Sequence, residues 1–298
     1  MGKIKLGIIG LSEGNGHPYS WSAIFNGFNS KIMASCPFAV IPEYLNKRDF
    51  PNDFLTEKGI VTHIYTQDPK LSEHIAKASK ISNIVKKPED LIGNVDAVLL
   101  ARDDAERHFE MSKIFIEAGI PIYIDKPLAF TKDEAKKIFD LEQYPNQIFT
   151  CSALRYADEL KLSKNEINSI DKIIHVEASI PKKWETYSVH ILEPIVSQLP
   201  KRGKLLKVHS TTKNQFTHCL VEWKNLTAYV KTTGENKSDI VFKFYGKNKI
   251  IEKKFYDTFS CFKSALNIFI DIINNQSKSY IDKEETLEIV DIIEKAKQ

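Results

Sequence analysis

Hydrophobic periodicity changes once along this chain, near residue 170, and the change restricts the folds open to it. Before that point, apolar runs at 5–10 (KLGIIG), 60–66, 94–101, 120–124 and 147–151 alternate with segments such as 69–79 and 105–118, whose apolar residues recur at helical spacing. Strands separated by helices need crossover connections, which are right-handed and leave neighbouring strands parallel. After that point come period-two stretches at 173–180, 205–211, 216–223, 226–232, 240–245 and 249–255, with turn signals at Asn225 and Gly246-Lys247-Asn248. This is the pattern of an antiparallel meander. Helical patterns at 261–273 and 283–297 close the chain. At 298 residues the sequence exceeds what one core usually serves. The expected architecture is a doubly wound α/β domain over 1–150 and an α+β domain with an open antiparallel sheet over 151–298.

Composition excludes several classes of function. Hydrophobic residues make up 42% and charged residues 27%, ordinary usage for a folded soluble chain. The 42 basic and 39 acidic residues leave a net charge of +3 with no long basic block, so a nucleic-acid partner is not expected. No apolar run reaches the roughly 18 residues of a membrane span. Lys3 and Lys5 interrupt the N-terminus, which does not read as a signal peptide. Cys36, Cys151, Cys219 and Cys261 are far apart and form no C-x-x-C pair, so neither a metal site nor a disulfide framework is expected. A reducing cytoplasm fits that usage.

The first strand runs into Gly10-Leu11-Ser12-Glu13-Gly14-Asn15-Gly16-His17-Pro18, with Pro18 suited to a first helical turn. Glycines between a first strand and a first helix let backbone amides approach a pyrophosphate at the helix N-terminus. A G-x-G-x-x-G pattern from Gly10 would need glycine where Ser12 and Asn15 stand, so the loop reads as a longer variant with Gly14 and Gly16 in the tight positions. The same residues also read as G-x-S-x-G, a hydrolase nucleophile elbow on Ser12, although that motif normally follows several strands rather than the first. Asp68 closes the second strand. It is placed to accept from an adenosine ribose and repel a 2′-phosphate, and Asp68-Pro69 is equally a helix start. Between loop and Asp68 lies an insertion rich in Pro and aromatics, read as ordered and near the cofactor crevice.

The stretch 118–130 (AGIPIYIDKPLAF) ends an apolar strand on Asp125-Lys126-Pro127. Pro127 cannot continue the ladder, and Thr131 to Glu134 reads as a capping box for the next helix. A lysine at the carboxyl end of a parallel strand stands where ligands bind in open α/β sheets. Farther on, a helix over 186–199 is expected to bury Val189, Leu192, Val196 and Leu199. Thr186, Tyr187, His190 and Glu193 then fall on another face, and Pro194 removes the donor for the His190 carbonyl.

Taken in order, GIIG with its glycine turn, TQD, LLARDDAERH, AGIPIYIDKPLAFT, the Arg155-Tyr156 pair and YSVHILEP resemble the Gfo/Idh/MocA family of nicotinamide-dependent oxidoreductases. The 119–127 stretch is similar to that family's AGKHVxxEKP motif, with Asp125 for Glu. The resemblance implies a Rossmann domain joined to an open sheet used in oligomer contacts. It also implies NAD, with NADP possible, as cofactor and a sugar, sugar derivative or polyol as substrate. Lys126 would then contact cofactor and substrate, and His190 would match the histidine of the family's D-x-x-x-H pattern. Gly10, Ser12, Gly14, Asn15, Gly16, Asp68, Arg102, Asp125 and Lys126 are the expected cofactor residues.

Three departures stand out: Thr186 replaces the family's aspartate, Arg102-Asp103-Asp104 replaces Thr-Pro-Asn, and Ser12 and Asn15 stand in the glycine loop. Arg155, Trp184, Tyr187 and Glu193 are the candidate substrate contacts. Aromatic faces stack on sugar rings and arginine binds carboxylate or phosphate. The expected chemistry is hydride transfer, with Lys126 stabilising an alkoxide and His190 taking the proton. A member that binds ligand without turnover, serving as a regulatory protein, is the alternative.

Overall fold

The computed structural model describes residues 2–275 and 282–297; the outermost residues of the two expected domains, 1 and 298, lie outside that range. In chain order the elements are β1 (Ile4–Ile9), α1 (His17–Asn26), α2 (Ser30–Met33), α3 (Val40–Leu45), β2 (Gly59–Tyr65), α4 (Pro69–Ala78), β3 (Asn83–Ile84) and β4 (Ala97–Leu100). Then come α5 (His108–Glu117), β5 (Ile122–Ile124), α6 (Lys132–Phe139), β6 (Ile148–Phe149), α7 (Lys164–Ile170), β7 (Ile173–Ile180), α8 (Trp184–Tyr187) and α9 (Val189–Gln198). The chain ends with β8 (Leu205–Lys213), β9 (Phe216–Trp223), β10 (Thr227–Thr232), β11 (Val241–Gly246), β12 (Ile250–Lys254), α10 (Thr258–Ile273) and α11 (Lys283–Lys295). Two compact units emerge: Met1–Asp125 with Lys137–Thr150 and Thr258–Ile281, and Lys126–Lys136 with Cys151–Asp257 and Asp282–Gln298.

The first unit is built on a parallel sheet of order β3-β2-β1-β4-β5-β6. Its central strands are continuous apolar runs because helices cover both faces: Leu6, Ile8, Ile9, Val98, Leu99 and Leu100 are fully enclosed. Strand order reverses between β1 and β4, so loops after these strands diverge and leave a crevice at their carboxyl ends. The insertion is ordered, as expected. Its α2 and α3 bury Met33, Ile41 and Leu45, and Arg48 lies over the Phe259 ring at 4.9 Å.

Helix α10 belongs to this first unit, whereas the sequence reading grouped both closing helices with the second. Its apolar face is aromatic. Phe269 meets Tyr123 and Phe149, each at 5.7 Å between ring centroids, and Phe262 meets Trp21 at 6.3 Å. Periodicity gives a helix its buried face but not the identity of what covers it.

The second unit carries a sheet of order β12-β11-β7-β10-β9-β8. The meander reading describes β8-β9-β10 and β11-β12, but β7 and β10 pair in parallel, so the sheet is mixed. The cause is topological. The chain leaves β7 for α8 and α9, returns at the far edge, and reaches β7 only on the third leg of the meander. Alternation assigns one face to the core: Val176, Ala178, Ile180, Cys219, Val221, Ala228 and Val230 are buried, with Ile191, Leu192, Leu287 and Val290 of α9 and α11 also enclosed. Burial pushes the Cys219 thiol up to about 12, so it behaves as an apolar packing group.

Candidate functional site

The loop after β1 is held by its neighbours at the carboxyl ends of the strands. A Cβ on Gly10 would lie 2.2 Å from Pro18 Cγ, so only glycine lets α1 start this close to β1. Gly16 is hemmed in by Phe38 and Ile41 of the insertion, with a built Cβ 2.6 Å from Ile41 Cδ1. Gly14 differs: it has φ of +78° and open space where a Cβ would point, the condition under which backbone can approach a ligand. Gln67 spans the loop, accepting from Leu11 N at 3.1 Å and donating to Leu11 O at 2.6 Å.

Two expectations for this loop change. Ser12 is buried and donates its one hydroxyl proton to Asp103 Oδ1 at 2.5 Å, rather than to an imidazole, which removes the basis of the nucleophile-elbow reading. Arg102, assigned to cofactor, is buried with Nε and Nη2 on Asp104 at 2.9 and 2.5 Å and Nη1 on Gln67 at 3.0 Å. A guanidinium so engaged braces the ends of β2 and β4 instead of offering its charge outward.

Asn15 and Asp125 do come together. Asp125, buried at the end of β5, accepts from Asn15 Nδ2 at 2.8 Å and contacts His17 Nδ1 at 2.6 Å. Asn15 Oδ1 accepts from His17 N at 2.8 Å, so one amide side chain links the loop to the residue preceding Lys126. Asp68 is exposed and caps α4 through Lys70 N at 2.9 Å. One carboxylate oxygen makes that cap, and the group still faces solvent at the end of β2.

In the second unit Lys126, Tyr187 and His190 are gathered. Lys126 Nζ lies 5.7 Å from the Tyr187 ring centroid, and the Tyr187 and His190 rings are 5.2 Å apart. Lys182 donates to the Tyr187 hydroxyl and lies over the same ring at 4.4 Å. The helix expected over 186–199 is two helices broken at Ser188, and α9 runs on through Pro194. His190 Nδ1 contacts the buried Ser152 hydroxyl at 2.7 Å.

The other substrate candidates are spent on structure. Trp184 is buried and its Nε1 donates to the Ile293 carbonyl at 3.1 Å. Arg155 Nη1 donates to Glu193 at 2.7 Å and Nη2 to Glu285, so its fork is filled. Glu193 is 2% exposed. Its burial raises the carboxyl above the usual range, with Arg155 and the Ser152 amide pulling it back. Burial opposes the charge on Arg155, but its two carboxylates prevail and raise its pKa.

A sequence model of an oxidoreductase family with an NAD-binding Rossmann fold, Gfo/Idh/MocA, matches residues 39–152. That stretch is similar to the Gfo/Idh/MocA family. The match covers the motifs of the resemblance that fall within that stretch, TQD, LLARDDAERH and AGIPIYIDKPLAFT. No curated protein matches the chain in sequence. Among solved structures, the myo-inositol 2-dehydrogenase of Lactobacillus plantarum superposes with a TM-score of 0.75 at 14% identity, over 99% of this chain and 96% of that one. The apo scyllo-inositol dehydrogenase of Lactobacillus casei gives 0.73 at 13%, over 98% and 96%. GenD2 from gentamicin A biosynthesis, in complex with NAD, gives 0.73 at 9%, over 100% and 94%. At such identities the likeness is one of fold, and it covers the whole chain.

The residues present fit a dinucleotide. Gly14 has the open, left-handed backbone a phosphate needs, the N-cap of α1 is Gly16 with no side-chain cap bond, and Asp68 stands exposed after β2. Ser152, Gln67 and His17 escaped the sequence reading. Each acts through a partner far away in sequence, and nothing local marks it.

Proposed function

We propose that this chain is an NAD(P)-dependent oxidoreductase acting between a nicotinamide and a hydroxyl-bearing carbon of a sugar, sugar derivative or polyol. The observation that carries this reading is the gathering of Lys126 and His190 about the Tyr187 ring. A family match to NAD-binding oxidoreductases supports the cofactor class, and two structural neighbours named for inositols support the substrate class.

The first unit takes the dinucleotide, with Gly10, Ser12, Gly14, Asn15 and Gly16 shaping its phosphate loop. Asp68 favours NAD over NADP, because its carboxylate pairs with ribose hydroxyls and repels a 2′-phosphate. When bound, the cofactor supplies the redox chemistry. The chain's own work is done at the substrate oxygen. The Lys126 ammonium donates a charge-assisted hydrogen bond to a developing alkoxide, and the His190 imidazole manages the proton. Tyr187 offers a ring on which an apolar sugar face stacks. Asp125 holds the backbone on which Lys126 rides.

The uncovered face of the second sheet serves contact between copies of the chain. No helix among the described residues is long and apolar enough to cross a membrane, and four buried free cysteines suit the cytoplasm. The test is an NADH titration followed by nicotinamide fluorescence, then a panel of polyols and sugar acids assayed with NAD. Saturable NADH binding with turnover of a panel member is expected; absence of NADH binding refutes the reading.

A further inference from the structure

The tautomer of His190 follows from a hydrogen-bond count at Ser152. The Ser152 side chain is fully buried, and its oxygen accepts from Leu154 N–H at 3.2 Å. Its single hydroxyl hydrogen needs an acceptor, because a buried donor without one forfeits the full cost of leaving water. Among the described residues the acceptor at hand is His190 Nδ1, at 2.7 Å. Were Nδ1 itself protonated, two donors would face each other's hydrogens and the hydroxyl would have to turn away.

We propose that Ser152 is a positioning residue: its hydroxyl donates to Nδ1 and holds neutral His190 as the Nε2–H tautomer. The hydroxyl is itself fixed. Leu154 N–H holds its oxygen, and Glu193, which Arg155 grips at 2.7 Å, lies three residues beyond His190 on α9. A carboxylate in the place of this hydroxyl has no proton to give and imposes the opposite tautomer, Nδ1–H with a basic Nε2. Thr186, one turn before His190, supplies no such carboxylate.

The consequence rests on the reading of His190 as a substrate-facing group. A neutral His190 so held meets a substrate oxygen as a hydrogen-bond donor. Before it can take a proton at Nε2, the ring must be in the Nδ1–H form with the Ser152 hydroxyl turned to accept. Proton uptake is thereby coupled to one hydroxyl rotor.

The experiment is long-range ¹H–¹⁵N NMR on protein labelled at histidine nitrogen, at about pH 9 where ordinary imidazoles are neutral, with His190 assigned by its absence in His190→Gln. An unprotonated Nδ1 and protonated Nε2 are expected. Ser152→Ala should move both nitrogens toward averaged values, and Ser152→Thr, which keeps the hydroxyl, should restore them. A protonated Nδ1 in the unaltered protein overturns the proposal, and this result needs no variant to fold. Nitrogen shifts identical in folded Ser152→Ala and the parent also overturn it. The readout needs no substrate, so a failure of NADH binding would remove the oxidoreductase reading and leave the tautomer to be judged on its own.

Discussion

Charge in an interior is tolerated only when it is paired, and Arg155 shows what pairing does to a sequence-based reading. Arginine after a strand looks like an anion receptor; only the fold reveals that Glu193 and Glu285, 38 and 130 residues away, already fill its fork. Removing one member of such a pair strands the other. Arg155→Met should cost about 3–5 kcal/mol, read as a fall in denaturant midpoint. The pH dependence follows from Glu193, whose carboxyl is raised by burial and partly restored by Arg155. A raised carboxyl binds a proton in the fold that the unfolded chain has already released, so stability falls as pH climbs from the ordinary value to the raised one. Without Arg155 that window extends upward, and the deficit should shrink as the medium is acidified toward pH ~4. A deficit independent of pH would mean the loss is one of packing. Lys126 stands out in the sequence because its motif is local, and its role is part of the proposed function. Lys126→Ala should lower turnover by about 10²–10⁴ while NADH affinity holds, as steady-state kinetics and fluorescence titration would show.

Elements were legible where one physical cause decides them. Period-two alternation placed β7 and β9 to the residue, since one covered face enforces it along a whole strand. The two-residue β3 left no trace, being an exposed edge with no pattern to enforce. The break at Ser188 was hidden because helical spacing continues through it. Two element ends carry tests. At the β1–α1 junction, Gly10→Ala places a methyl against Pro18, so the helix must shift, and a loss of about 1–3 kcal/mol is expected in equilibrium unfolding. At the start of α7, Lys253 and then the Ser163 amide hold the Glu166 carboxyl down to about 2. A depressed carboxyl stabilises the fold above its ordinary value, and that contribution is lost as pH falls toward the depressed one. Glu166→Gln should therefore melt lower than the parent at neutral pH and alike near pH ~2; a constant difference would exclude the ion pair as its source.

At the scale of the molecule, two units are threaded by a chain that crosses between them more than once, the first crossing falling between Asp125 and Lys126. A single-sequence reading finds the change of architecture near residue 170 and misses that α10 returns to the first unit, since contacts among distant aromatics leave no period behind. This discontinuity ties cofactor to stability. A ligand that binds only the folded first unit stabilises it by mass action, about 2.7 kcal/mol at a hundredfold excess over its dissociation constant. For a chain of this size such a gain raises the melting temperature by several degrees, roughly 2–4 °C per kcal/mol. NADH should produce that rise at lower concentration than NADPH, because Asp68 is exposed at the end of β2 with no basic partner required to cap α4. Asp68→Ala should weaken NADH more than NADPH and narrow the gap between the two curves, after correction for the lost cap. If both cofactors lose equally, Asp68 is a helix cap and nothing more, and discrimination of the 2′-phosphate must come from elsewhere in the loop.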